Sequence, residues 1–286
     1  MEKMKQTAIS VSHLKHNFGT KTVLSDITFQ IEEGQIFGLL GPSGAGKTTI
    51  IKILTGQIRQ TAGDAVLLGK NSSELQGSDY KNIGIMMDDF GLYERMSCYD
   101  NLMFFCKIYG VSTATIVEVL QKVGLGKAEK TIVSNLSKGM YNRMLLARSI
   151  LCKPKVLFLD EPTSGLDPKT TEEIHQMILE MKKAGITIFL TTHNMAEAEK
   201  LCDNIALLNE GQIVEYGSPK EICRKYNHQK QMLMHLYDGT DIICGHDKEG
   251  ISKVIGYLEK GMVETIHSTE PNLETVFIEL TGRKFD

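Results

Sequence analysis

Long apolar runs are missing from this chain. The best lie at residues 36–40, 156–159 and 186–190, far short of the roughly 20 apolar residues that a bilayer-spanning helix needs. The opening residues MEKMKQTAIS hold no apolar h-region, so no secretory signal is expected. Any membrane role is expected to run through a partner. An excess of either charge is missing too. Lys and Arg total 32, Asp and Glu total 35, and the formal charge is −3. With no global basic field, no nucleic-acid partner is expected. Paired cysteines are also absent. Cys98, Cys106, Cys152, Cys202, Cys223 and Cys244 form no CxxC, and their scatter reads as reduced thiols in small core positions, not as a zinc or disulfide framework. There is no internal repeat and no low-complexity tract.

What remains is an ordinary globular composition. The chain has 286 residues, 42% of them hydrophobic and 23% charged, which argues against disorder and allows one or two domains. Ile9, Val11 and Leu14, then Val23, Leu24, Ile27, Phe29 and Ile31, alternate as strands do. Glu33-Gly34 signals a turn. Residues 35–40 read as a buried strand, residues 48–54 as a helix, and residues 65–68 as a further short strand. The stretch of about 88–152 reads as mainly helical. Within it Met140, Met144, Ala147 and Leu151 share one helix face and suit core packing. From Lys155 the pattern is strand 156–159, helix 172–183 ended at Gly185, strand 186–191 and helix 196–202. Strands alternating with helices indicate an α/β fold with a mostly parallel sheet. After about Ser218 the composition shifts. Strand 231–237, a helix through Ile251, Val254, Ile255 and Leu258, strand 262–267 and a helix through Leu273, Val276, Phe277 and Leu280 predict a small appended α+β unit.

Three segments carry chemistry. Gly41-Pro42-Ser43-Gly44-Ala45-Gly46-Lys47-Thr48 matches G-x-x-x-x-G-K-[ST] in full, between a predicted strand and a predicted helix. Its glycines let backbone N–H groups turn inward onto phosphate oxygens, and the helix start adds partial positive charge. Lys47 is expected to reach the β- and γ-phosphates. Thr48 is expected to offer its hydroxyl to Mg²⁺, and Thr49 to make a further phosphate contact. Lys155-Val156-Leu157-Phe158-Leu159-Asp160-Glu161 is an apolar strand ending in two acids, placing both at the ligand edge of a parallel sheet. Asp160 suits the Mg²⁺ shell, and Glu161 suits activation of an attacking water. Leu136-Ser137-Lys138-Gly139-Met140 precedes a helix. Ser137 fits an N-cap there, or a second phosphate-binding helix start.

Taken together these residues resemble the nucleotide-binding subunit of the ABC transporter family. The P-loop (Walker A), the LSKGM version of the signature, the LFLDEP segment (Walker B), Ser164-Gly165-Leu166-Asp167 and Thr191-Thr192-His193 occur in family order across roughly residues 7–217. The resemblance implies a P-loop NTPase domain over 1–217: a RecA-like parallel core, an antiparallel β subdomain and a helical subdomain at about 88–152. Residues 218–286 would be a C-terminal accessory region. It implies ATP and Mg²⁺ as ligands. Gly41, Pro42, Ser43, Gly44, Ala45, Gly46, Lys47, Thr48 and Thr49 would hold phosphates and metal, Asp160 would support Mg²⁺, and Glu161 would be the base. His193 would contact the γ-phosphate, and Phe18 would stack on adenine. Ser137, Gly139 and Asp167 would serve the site of an opposite subunit, because two such subunits, identical or sister chains, sandwich two ATP molecules. The resemblance also implies a transmembrane permease subunit and a place on the cytoplasmic face of the cell membrane.

The sequence departs from the family at three points. Asp88 stands where the family has Gln, and is expected to bind Mg²⁺ or its water, with Asp89 as a possible substitute. Lys138 and Met140 replace the usual Gly and Gln of the signature, and Met140 cannot donate a hydrogen bond. Phe replaces Tyr at the adenine position. A working, slow ATPase is expected. Gly91-Leu92-Tyr93-Glu94-Arg95-Met96-Ser97 with Asn101-Leu102, LSKGM, and Glu270-Pro271-Asn272-Leu273-Glu274-Thr275-Val276-Phe277 are similar to ABC-2-type drug and antibiotic exporters. An exporter of a drug, antimicrobial peptide or lipid-like molecule is therefore expected. An importer ATPase would share every catalytic residue. A non-transport ABC ATPase of translation, repair or cofactor assembly would more often carry two motif sets or long insertions.

Overall fold

The computed structural model describes residues 6–87, 91–228 and 230–282. They divide into two compact units, one running through Tyr216 and one starting at Gly217.

In the first unit β1 (Thr7–Phe18) and β2 (Lys21–Glu32) form an antiparallel hairpin. Its register sets Ile9 opposite Ile31, Val11 opposite Phe29 and Leu14 opposite Ile27, so the alternating apolar residues share one buried face. β3 (Ile36–Leu40) is buried at every residue and leads to α1 (Lys47–Leu54). β4 (Ala62–Leu67) and β5 (Lys70–Asn71) return to the hairpin, giving a sheet ordered β2-β1-β4-β5. β6 (Ile83–Met86) precedes α2 (Cys98–Tyr109), α3 (Ala114–Lys122) and α4 (Lys138–Ile150). Then follow β7 (Val156–Asp160), α5 (Pro168–Lys183), β8 (Thr187–Thr192), α6 (Met195–Leu201), β9 (Asn204–Asn209) and β10 (Gln212–Gly217). The second sheet is ordered β10-β9-β3-β8-β7-β6. β9, β3, β8, β7 and β6 pair in parallel, as the strand–helix alternation requires.

This parallel sheet is buried on both faces. Leu157, Leu159, Ile188 and Leu190 pack with Met144, Leu145, Ala147 and Ile174 of the helices. Val156, Phe158, Phe37 and Phe189 point the other way, into a core shared with Ile9, Ile27 and Phe29 of the antiparallel sheet and Ile50, Ile51 and Leu54 of α1. Phe37, Phe158 and Phe189 form a ring cluster with centroid spacings of 5.5 Å. Two expected element starts move by more than one residue. α5 starts at Pro168, four residues before the expected Glu172, because Asp167 caps it and Pro168 fits the first turn. β4 starts at Ala62, paired through the register of Lys15 with Ala62.

The second unit holds α7 (Pro219–Lys225), β11 (Gln231–Leu236), β12 (Asp241–Gly245), α8 (Lys248–Glu259), β13 (Val263–Ser268) and α9 (Leu273–Thr281). The three strands are antiparallel in the order β12-β11-β13. α7 and β12 go beyond the four elements expected here. α7 is set by a Ser218–Glu221 capping box and Pro219 rather than by an apolar stripe. α9 buries Leu273, Val276 and Phe277. In α8, by contrast, Val254 is buried while Ile251, Ile255 and Leu258 are about half exposed.

Candidate functional site

β3 delivers the glycine-rich loop to the carboxyl edge of the sheet. Gly41 passes so close to the Leu208 carbonyl of β9 that any Cβ would strike it. Gly46 has φ +113, a conformation that favours glycine, and a Cβ there would lie 2.7 Å from Leu24 Cδ2, so the Leu24 side chain would have to shift. Ala45 is buried and its N–H donates to the Pro42 carbonyl at 3.2 Å. Among the described residues no side chain caps the start of α1, and its first turn holds no acid. Its leading N–H groups therefore face the loop with their partial positive charge uncancelled. The Lys47 ammonium folds back on this loop, donating to the Gly41 carbonyl at 2.6 Å and the Pro42 carbonyl at 3.3 Å.

β7 and β8 supply the opposite wall. The Thr48 hydroxyl donates to Asp160 Oδ2 at 3.0 Å, and the Thr191 hydroxyl donates to Asp160 Oδ1. Glu161 follows with φ 52, a left-handed conformation that a glutamate adopts only when its surroundings fix it. Here its N–H donates to the Thr191 carbonyl at 3.0 Å, and its own carbonyl accepts from Ser164 N–H at 3.1 Å. The Glu161 carboxylate reaches Lys47 Nζ at 3.3 Å and His193 Nδ1 at 2.5 Å. The Glu161 carboxylate thus lies between one ammonium and one imidazole, while Asp160 is held by two hydroxyls.

These groups surround a cavity of about 500 Å³, the size of a small-molecule site. Ser43, Gly44, Gly46, Lys47, Thr48, Thr49, Asp160, Glu161 and His193 all line it. Val23 and Ser164 line it too, and sequence reasoning missed both as site residues. Ser164 could have been found from its place in the turn after Glu161, whereas Val23 reads as an ordinary strand residue. Thr48 and Asp160 present hard oxygen donors side by side, the type Mg²⁺ takes. A second cavity, of about 520 Å³, sits where β7 and β8 begin, lined by Val119, Ile150, Pro154, Met177 and Met181. It holds none of the expected site residues.

Seven expected residues lie outside the lining of the candidate cavity: Gly41, Pro42 and Ala45 of the loop itself, and Phe18, Ser137, Gly139 and Asp167. Phe18 ends β1, about half exposed, with its ring edge-on to His16 at 4.5 Å. Ser137 caps α4, accepting from Met140 N–H at 3.3 Å. Gly139 packs on Thr170 of α5, where an added Cβ would lie 2.9 Å from Thr170 Cγ2. Asp167 caps α5, accepting from Thr170 Oγ1 at 2.6 Å and from the N–H groups of Lys169 and Thr170. The Thr170 hydroxyl foremost, then the backbone donors, hold this carboxyl below the usual carboxylate range. Asp88 and Asp89 lie outside the described residues. Among the described residues no helix is long and apolar enough to cross a membrane.

The profile of the family described as ABC transporter matches residues 24–164. The fluoroquinolones export ATP-binding protein of Mycobacterium tuberculosis is 40% identical over 260 residues, covering 90% of this chain and 86% of that protein. The lantibiotic transport ATP-binding protein SrtF of Streptococcus pyogenes is 38% identical over 224 residues, covering 77% of this chain and 96% of that protein. A solved structure described as the ATP binding subunit of an ABC transporter superimposes with a TM-score of 0.70 at 27% identity, over 77% of this chain and 93% of that one.

Proposed function

This chain belongs to the ABC transporter family, and from that premise we propose that it is the ATP-hydrolysing subunit that drives an exporter through a separate membrane permease. The observation that carries the reading is the Lys47–Glu161–His193 cluster facing the uncapped start of α1. An ATP triphosphate fits the loop amides and Lys47. It is anionic, and Asp160 and Glu161 already outnumber Lys47, so it needs a cation with it. Thr48 and Asp160 would hold that cation as Mg²⁺, which supplies neutralising charge on the β- and γ-phosphates. Glu161 takes a proton from the attacking water as the new P–O bond forms and the bond to ADP breaks. His193 holds the Glu161 carboxylate through Nδ1 and meets the γ-phosphate. Phe18 offers a ring face to adenine.

Ser137, Gly139 and Asp167 stand apart from this cavity, on the packed starts of α4 and α5. That supports their service to a second subunit, identical or sister, whose loop would face them. Residues 1–217 are then the nucleotide-binding domain, with the helical subdomain at about 88–152, and residues 218–286 an accessory region.

Tyr93, Phe104 and Ile108 expose apolar surface on the helical part of the first unit. Beside them Arg148 lies over the Phe105 ring at 5.2 Å and lines a groove of about 320 Å³ with Tyr109 and Ile85. Exposed aromatic surface of this kind suits a protein partner, here the permease at the cytoplasmic face of the membrane. The relatives named for fluoroquinolone export and lantibiotic transport support export of a drug, antimicrobial peptide or lipid-like molecule. The test is to purify the tagged chain from gently solubilised membranes of its host. Stoichiometric recovery of a multi-span membrane protein is expected. Recovery of only soluble partners or ribosomes would overturn the exporter reading and leave the ATPase reading standing.

A further inference from the structure

Behind the cavity one buried carboxylate ties two of its walls together. Glu197, in the first turn of α6, is 2% exposed. Its Oε1 accepts from the Thr163 hydroxyl at 2.7 Å and lies 2.9 Å from Nε2 of His175 on α5. The Thr192 hydroxyl also donates to this carboxylate. Thr163 comes two residues after Glu161, and Thr192 immediately precedes His193. Between Glu161 and Thr163, the Pro162 carbonyl accepts from Asn142 Nδ2 of α4 at 3.0 Å. The turn after Glu161 is therefore gripped from two helices.

The hydrogen bonds mark Glu197 as an ionised acceptor. Burial pushes its carboxyl pKa up, but the donors from His175, Thr192 and Thr163 outweigh that and leave it below the usual range. His175 Nδ1 is buried with no hydrogen-bond partner among the described residues. The tautomer with its proton on Nε2 thus serves Glu197 and leaves no buried donor unpaired. A buried ionised group is a poor way to gain stability alone, because an apolar side chain of similar volume usually does as well. What this one supplies is direction. Glu161 sits at φ 52, and a residue in that region stays there only while its neighbours over-determine it.

We propose that Glu197 is a positioning residue for ATP hydrolysis, fixing the Glu161 turn through Thr163 and the His193 strand end through Thr192, with His175 orienting its carboxylate. This rests on the reading of Glu161 and His193 as working groups. A displacement of about 1 Å at reacting groups can lower the rate about a hundredfold, so partial loosening should fall below that. Thr163→Val removes one donor at constant shape. In the full chain it is expected to lower kcat for MgATP about tenfold while KM and the affinity for a non-hydrolysed ATP analogue stay within about twofold. Thr163→Ser should restore kcat. Glu197→Gln should lower kcat by a similar factor, and the double variant should lose less than the product of the two, because both act on one hydrogen-bonded unit.

Wild-type kcat in a folded Thr163→Val protein would overturn the proposal. So would multiplicative losses in the double variant, a Ser variant as slow as the Val variant, or a loss accounted for by the unfolded fraction in a thermal melt. Glu161→Gln runs alongside. If it turns over normally, the reading of the site itself fails. If it is inactive while Thr163→Val is normal, only the positioning role of Glu197 fails.

Discussion

Lys47 is the group on which the proposed site turns, and its charge can be removed without emptying its space. The ammonium touches the Gly41 and Pro42 carbonyls at 2.6 and 3.3 Å and Glu161 Oε1 at 3.3 Å, and its side chain is 8% exposed. On the proposed reading ATP draws the ammonium from the carbonyls onto phosphate oxygens. A hydrogen bond to a charged group contributes about 1.5–3 kcal/mol net, so losing it should weaken MgATP binding roughly tenfold to a hundredfold. A second effect adds to this. Without the ammonium, Asp160 and Glu161 face the triphosphate less compensated, and unit charges about 4 Å apart interact by about 4 kcal/mol at an effective dielectric near 20. The loss should therefore lie at the upper end of the range. Lys47→Met keeps the packed stem and removes only the charge. The assay is an equilibrium titration of the full chain with a fluorescent ATP analogue and Mg²⁺, with a thermal melt to establish folding. A folded Lys47→Met protein binding within about twofold of wild type would refute the assignment of the loop.

Other outcomes follow from the same geometry. Glu161→Gln should retain ATP binding and lose about 10²–10⁴-fold in phosphate release at saturating MgATP, the range a general base supplies; near-normal turnover would remove Glu161 from that role. Phe158→Ala, at a fully buried ring packed on Phe189, should cost about 3–5 kcal/mol in a urea titration, and a cost under about 1 kcal/mol would mean that this core is not packed as described. In the second unit His235 Nδ1 meets Asp241 at 2.5 Å. That hydrogen bond first, then the attraction of Asp241 and Glu264, raises the His235 pKa against desolvation. The favourable contribution is complete below the unfolded value near pH 6.5 and is lost as pH rises through the folded value. Asp241→Asn should lower the pKa in an NMR titration and erase its stability difference from wild type at high pH; an unmoved titration would sink the pairing.

The parts of this molecule that the sequence displays are those encoded locally. The loop from Gly41 to Thr48 and the strand ending in Asp160-Glu161 carry their chemistry within a few residues, and both land on one cavity. The alternation of β1 and β2 was readable because one face is buried. Other features depend on partners far along the chain. Glu197 lies 34 residues from Thr163 and 22 from His175, so no spacing rule links them. Val23 enters the cavity wall only because β2 passes beside Gly46. In β9 a four-residue apolar run is too short for periodicity to separate from a buried helix segment. In the second unit, α8 has the apolar spacing of a packed helix yet buries only Val254 among its four apolar stripe positions. Spacing alone gives the helix but not what covers it.

The uncapped start of α1 has a consequence beyond chemistry. A helix whose first N–H groups meet no side-chain cap among the described residues can be completed by an anion, so the nucleotide proposed to bind there would act as a structural component of the chain. Ligand at about a hundred times its Kd adds about 2.7 kcal/mol to the free energy of unfolding, a sizeable part of what holds a typical domain together. The lifetime of the protein would then follow the energy charge of the cell. Nucleotide depletion would slow the motor and at the same time leave it more open to unfolding and proteolysis.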